Sequence, residues 1–182
     1  MGNSALVGIG AAGKVYVAPL GTTVPTTASA TLDAAFIEFG YISDAGVVLS
    51  ESGDSQDINS WGGLAVKTIK STFKETAKFT PIEVSEDVIK ATYKTVTSAT
   101  AQGVTTITAK HTADTMPEVV VVIDCLPNEV TKTRYIAKRA QLTTRGDASL
   151  TGTGVQGREL EYTCNPDEEG VTITSITEIS AA

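Results

Sequence analysis

Apolar positions along this chain alternate with polar ones more often than they recur every third or fourth residue. The alternation comes in short runs separated by Gly, Pro, Asn and Asp, a pattern that predicts strands. Lys14 to Pro19 (KVYVAP) is a short strand, stopped by Pro19 and a Gly/Thr/Pro loop. Phe36 to Ile42 (FIEFGYI) is a second, with Phe36, Glu38 and Gly40 on one face and Ile37, Phe39 and Tyr41 on the other. Gly40 marks a bulge or a close backbone approach. Leu64 to Val84 alternates over a long stretch, and its polar middle, Ser71 to Glu75, predicts the turn of a hairpin. Further strands are predicted at Val104 to Lys110, Glu118 to Cys125, Thr133 to Thr143, Arg158 to Cys164 and Val171 to Ile179. Val119 to Ile123 is continuously apolar, as in a strand covered on both faces.

One segment breaks the period. Ser85 to Lys94 (SEDVIKATYK) predicts a helix, because Ser85 can cap it and Glu86 and Asp87 suit its positive end. Lys90 and Lys94 suit its other end, and Val88, Ile89 and Tyr93, with Thr92, form a narrow apolar stripe. Between the predicted strands lies Ser43 to Gly63, a long polar and acidic loop with a brief apolar patch at Val47 to Leu49. It ends at the only tryptophan, Trp61, before Gly62-Gly63. Loops of that length without structure of their own are usually functional or disordered. Trp61 has two readings, an interface contact or packing at the base of the loop.

Composition strengthens the β reading. Thr, Val, Ile, Ala and Gly dominate, while 41% hydrophobic and 19% charged residues mark a globular chain. All 182 residues fit one domain. The net charge of −7 gives no basic footprint for nucleic acid. No apolar run is long enough to span a membrane, and Gly8, Gly10 and Gly13 interrupt anything like a signal peptide. Cys125 and Cys164 lie in apolar runs, as two buried thiols or as a cross-strand disulfide. Charge is unevenly spread. Before Ser60 the only base is Lys14, against Asp33, Glu38, Asp44, Glu51, Asp54 and Asp57. Later, Lys132, Arg134, Lys138, Arg139 and Arg145 stand without an acid between them. Either these are solvated faces, or acidic and basic regions of different copies meet head to tail. On the second reading the contact residues are Val48, Leu49, Glu51, Asp54, Asp57, Ile58 and Trp61 on one side. Lys132, Arg134, Lys138 and Arg139 are on the other.

Chemistry-bearing motifs fall short. Gly8-Ile9-Gly10-Ala11-Ala12-Gly13-Lys14 has glycine spacings of phosphate-binding loops, but no strand precedes it and a strand follows where a helix is needed. His111 is the only histidine, with no Cys or His cluster nearby for zinc. Nothing local marks Ser98 or Ser149 as a nucleophile. Glu159 and Glu161 share a strand face without an aromatic platform, which favours an exposed face over a glycosidase pair. No catalytic residue, metal or cofactor is expected.

Several pieces in order resemble the phage major tail proteins, the tail tube subunits of long-tailed siphoviruses, most like those of actinobacterial hosts. They are Gly13 to Thr22, Leu32 to Phe36, Gly40-Tyr41-Ile42-Ser43, Asp57-Ile58, Trp61-Gly62-Gly63, Lys78 to Val84, Gly146 to Leu150 and Glu159 to Thr163. The sequence departs from the pattern at Ser98 to Thr108 and Gly152 to Gly157. The resemblance implies a mainly β fold, a β-sandwich of two packed antiparallel sheets with one flanking α-helix (residues 85–94) and a long inter-strand loop. It implies hexameric rings stacked into a tube, with the loop 43–63 and an N-terminal arm, 1–13, reaching neighbouring copies. It also implies a lumen that holds a tape-measure protein and later passes double-stranded DNA without binding it specifically. Tail terminator and distal tail proteins would close the ends of a virion tail whose subunits are made in the host cytoplasm. A rival reading is a β-sandwich adhesion or carbohydrate-binding module. If the loop joins subunits, removing Ser50 to Ser60 leaves a folded subunit that cannot polymerise, which electron microscopy checks; unchanged tubes would contradict it.

Overall fold

The computed structural model describes residues 13–126, 131–148 and 157–180. The chain is mainly β, with one short helix among the described residues. The main sheet is antiparallel throughout. Its strands are β1 (Gly13–Pro19), β2 (Ile37–Glu38), β3 (Ile42–Ser52), β6 (Lys74–Pro81), β9 (Glu118–Cys125), β10 (Thr131–Ala148), β11 (Arg158–Cys164) and β12 (Thr174–Ile179). Their order is β2-β1-β9-β10-β11-β6-β3, with β12 added on β10. Two separate two-stranded ribbons pair β4 (Ser55–Asn59) with β5 (Ala65–Lys70) and β7 (Thr95–Ala101) with β8 (Val104–Lys110).

The eighteen residues of β10 make it the spine. Its first half pairs with β12, from Thr131↔Ile179 to Ile136↔Thr174, and its second half with β11, from Ala140↔Cys164 to Ala148↔Arg158. β9 runs along its other edge. The sheet folds over itself, because Val15 and Val17 of β1 share one core with Phe79 of β6 and Leu160 and Tyr162 of β11. The two layers of the β-sandwich are thus drawn from one hydrogen-bonded path. Phe39 closes the fold between them. Its ring meets Phe79 edge-on at 5.0 Å, and Phe79 stacks on Tyr162 at 5.8 Å, both favourable aromatic geometries. On the opposite face Val120, Val122, Ala18 and Ile136 pack under Val24, Leu32 and Phe36 of the segment joining β1 to β2. The continuous apolar run of β9 is therefore covered on both faces, as its sequence predicts.

The helix α1 (Glu86–Thr92) starts where expected. Ser85 Oγ accepts the Val88 N–H at 3.3 Å, and Lys90 pairs with Glu86 one turn away. It ends earlier than the sequence implies, with Tyr93 as an extended C-cap, and it buries Val88 and Thr92. Both thiols are free, and burial pushes that of Cys164 up to about 12.

Three expectations need correction. Phe36 to Ile42 is not one strand. Pairing stops after Glu38, and Gly40 turns left-handed (φ +69°) with the Glu83 carboxylate where a Cβ would stand. Leu64 to Val84 does not fold back on itself. Ser71 to Glu75 lacks the residues that reverse a chain, so β5 pairs with β4, while β6 continues between β3 and β11. Finally, β7 is an addition, turned into β8 by Gln102 and Gly103, both at positive φ, the two-residue turn that suits a hairpin. The expected arm 1–13 lies outside the described residues except for Gly13, and the glycine-rich stretch 152–157 except for Gly157.

Arg134 ties the covering segment to the sheet. It is buried on β10, its guanidinium donates to both oxygens of Asp124 at 2.6 and 2.8 Å, and its remaining nitrogen donates to the Thr27 and Ala30 carbonyls. Arg134→Ala leaves a largely buried carboxylate and two carbonyls without their donor. It should cost about 3 kcal/mol and lower Tm by roughly 10 °C. Joining it to Asp124→Leu should recover part of the loss in thermal unfolding. A change under about 2 °C for the single substitution would contradict this role.

Candidate assembly surface

The segment expected to be a loop is a β-ribbon. β3 leaves the sheet alongside β6, with Leu49↔Ala77, Ser50↔Thr76, Glu51↔Glu75 and Ser52↔Lys74 in register. The same two chain directions continue as β4 and β5, from Ser55↔Lys70 to Asn59↔Ala65. Every residue from 50 to 74 is exposed. Among the described residues nothing covers this ribbon, and an isolated two-stranded hairpin is at best marginally stable in water.

Local bonding shapes it instead. At the joint between the two pairings, the Asp54 N–H donates to Thr72 Oγ1 at 2.9 Å, and the Asp54 carbonyl accepts from Ser71 N–H at 2.8 Å. Gly53 is needed there, since a Cβ would sit 2.5 Å from the Thr72 carbonyl oxygen. At the tip, Ser60 N–H donates to the Leu64 carbonyl at 2.8 Å and Gly63 N–H to the Ser60 carbonyl at 2.9 Å. Gly63 takes φ +80°, so Trp61, Gly62 and Gly63 form the three-residue turn that joins the strands. That turn is the reversal the sequence carries, and Trp61 is its first residue.

The faces of the ribbon differ. On one, Thr68 donates to Asp57 at 2.6 Å, and Lys70 pairs with Glu51 at 3.0 Å while lying over the Phe73 ring at 4.1 Å. The other carries Ile58 and Ile69, each nearly half exposed, beside Gln56 and Lys67 in register. Trp61 is fully exposed, with Leu64 (75%) beside it. The reading of Trp61 as packing at the loop base is therefore corrected: it stands at the far tip. Exposed apolar side chains gathered on one element are a feature that interaction sites share.

Of the other residues singled out above, Val48 is exposed near the root, opposite Lys78. Leu49 packs against the core. The basic strand is not short of acids, because its neighbours supply them across the sheet. Besides the Arg134–Asp124 pair, Lys138 meets Asp167 at 2.8 Å and Arg139 holds Glu118 through two nitrogens. Arg145 lies 5.3 Å from the Tyr93 ring centroid. Lys132 is exposed, with Glu178 as its cross-strand neighbour. The structure thus gathers Glu51, Asp54, Asp57, Ile58 and Trp61 on one ribbon and engages Arg134, Lys138 and Arg139 within the subunit.

These pairs set a pH dependence. Arg139 and Asn165 hold the Glu118 carboxyl below its usual range, and Lys138 with the Val171 and Glu169 N–H groups does the same for Asp167. A depressed folded-state pKa contributes stability that is present above the ordinary carboxylate pKa of about 4 and is lost as pH falls through the folded value. Melting temperature should fall below about pH 4, and the fall should be shallower in Glu118→Gln; an identical slope would contradict the assignment.

The ribbon itself should be dispensable for folding. Replacing residues 53–73 by Asn-Gly, which closes the Ser52↔Lys74 pair with a tight turn, should change Tm by no more than about 2 °C. Trp61→Ala should do the same, since it touches no core. A larger drop in calorimetry would mean that the ribbon stabilises its own subunit.

A family model for phage tail tube proteins matches residues 1–178 of the chain. No curated protein matches it.

Proposed function

The chain belongs to the phage tail tube protein family, and we propose that it polymerises as stacked hexameric rings through the ribbon spanning residues 50–74. Its role is structural: it is a component of the virion tail that assembles with itself and with other tail proteins into a tube. The observation that carries the finer reading is the ribbon, which projects from a well-packed sandwich with no residue buried in its own subunit. A surface shared between unlike faces of identical subunits either closes a ring or propagates along an axis. A ribbon of this reach serves the second, and the open edges of the main sheet serve the first.

The tube would belong to a long-tailed phage, with one tail tube domain per chain. Its lumen would hold a tape-measure protein and then pass double-stranded DNA into the host, while terminator and distal tail proteins would bind its ends. The charge balance supports passage rather than binding. Each copy carries −7, and three of the bases on β10 are already engaged by acids of their own subunit. Phosphate is repelled by such a wall, so DNA would slide without sticking.

Electron microscopy of the purified full chain, induced to assemble by raising its concentration, should show uniform tubes or six-membered rings. The chain lacking residues 53–73 should remain as single subunits or unstacked rings. A full chain that stays monomeric, with glycan binding instead, would favour an adhesion module and overturn this reading.

A further inference from the structure

The subunit carries an apolar groove at the end opposite the ribbon tip. It lies between α1 and the ends of β6 and β11, with a volume of 240 Å³, and its walls include Pro81, Val84, Val88, Ile89, Tyr93 and Leu160. That is smaller than the roughly 300–1,000 Å³ of a small-molecule site, and suits one large side chain. The groove is preformed. Arg158 donates to the Gly146 carbonyl at 2.6 Å and to the Tyr93 hydroxyl at 2.9 Å, and the Tyr93 ring stacks on His111 at 4.4 Å. Val84, at its mouth, is 70% exposed.

The ribbon and the groove share a strand. β6 runs from Lys74, where the ribbon departs, to Pro81, where the groove begins. At about 3.3 Å per residue, tip and groove lie on the order of 50 Å apart along this path. The exposed state of every residue from 50 to 74 rules out a ribbon folded back on its own groove. A second copy displaced along the ribbon direction brings its groove to the tip of the first. We infer that the groove beside α1 is the receptor for Trp61 of a neighbouring copy, a knob-and-hole contact between rings that rests on the tail tube reading above. The indole supplies the large, flat apolar group the groove lacks. Its N–H needs an acceptor, and Glu83, an exposed residue on the rim whose Oε2 accepts the Tyr41 N–H at 3.4 Å, carries the carboxylate to provide one. The contact is heterologous, tip to groove, so each copy offers both halves and the pairing can propagate from one ring to the next.

Trp61 is the only tryptophan, so the full chain reports on its own docking. In free subunits the indole should emit as a water-exposed group and be open to acrylamide. On assembly its emission should shift to the blue and quenching should fall severalfold. Val84→Lys, at an exposed position that leaves circular dichroism and melting unchanged, should abolish both changes. As a second measurement, Trp61→Cys subunits mixed with Val84→Cys subunits should form a disulfide-linked pair on oxidation, and neither should do so alone. Tubes in which Trp61 stays open to acrylamide, or in which Val84→Lys leaves the protection intact, overturn the docking and leave the tube reading standing. A full chain that never assembles overturns both.

Discussion

Two strands paired only with each other have no interior. That constraint organises this molecule. Where β3 and β6 lie in the main sheet, one face of the pair has a second layer to pack on, and Val47, Leu49, Ala77 and Phe79 reach the core. Beyond Ser50 and Lys74 the second layer ends, but the ladder continues through β4 and β5. Backbone hydrogen bonds, the Gly53–Asp54 joint and the three-residue turn at Trp61 hold the ribbon's shape, while Ile58, Ile69, Trp61 and Leu64 stay in water. On the reading proposed above, it is this exposed apolar lever that another copy would cover.

The sandwich behind the ribbon is built to hold it steady. The Phe39, Phe79 and Tyr162 rings lock β6 and β11 to the opposite layer. The register of β3 on β6 then transmits that order outwards. On the far face, Arg134 clamps the segment between β1 and β2 by binding a carboxylate and two carbonyls at once. The bases Arg134, Lys138 and Arg139 are therefore engaged inside the subunit.

What could be read from sequence follows the range of each signal. β8, β9 and β11 fall on their predicted spans, and the Ser85 cap places the helix start, because alternation and capping are local. Pairing is not local. Alternation in Leu64 to Val84 identified strands but could not show that β5 belongs to β4 and β6 to β3. The glycine pair after Trp61 was the better turn signal. The bases of β10 lacked acids along the chain because their partners are Asp124, Glu118 and Asp167, on other segments. Trp61 admitted two readings, and its exposure at the tip removes the one of packing at the loop base. The groove beside α1 had no sequence signal at all, since it exists only where the ends of three elements converge.

The central claim is that residues 50–74 are covered by another copy and by nothing in their own. Amide hydrogen exchange, followed by mass spectrometry on free subunits and on assembled tubes, tests it most directly. Segments spanning β4 and β5 should exchange quickly in the free subunit and become protected on assembly, while β9 and β11 stay protected in both. Ribbon amides that exchange equally fast in both states would contradict it.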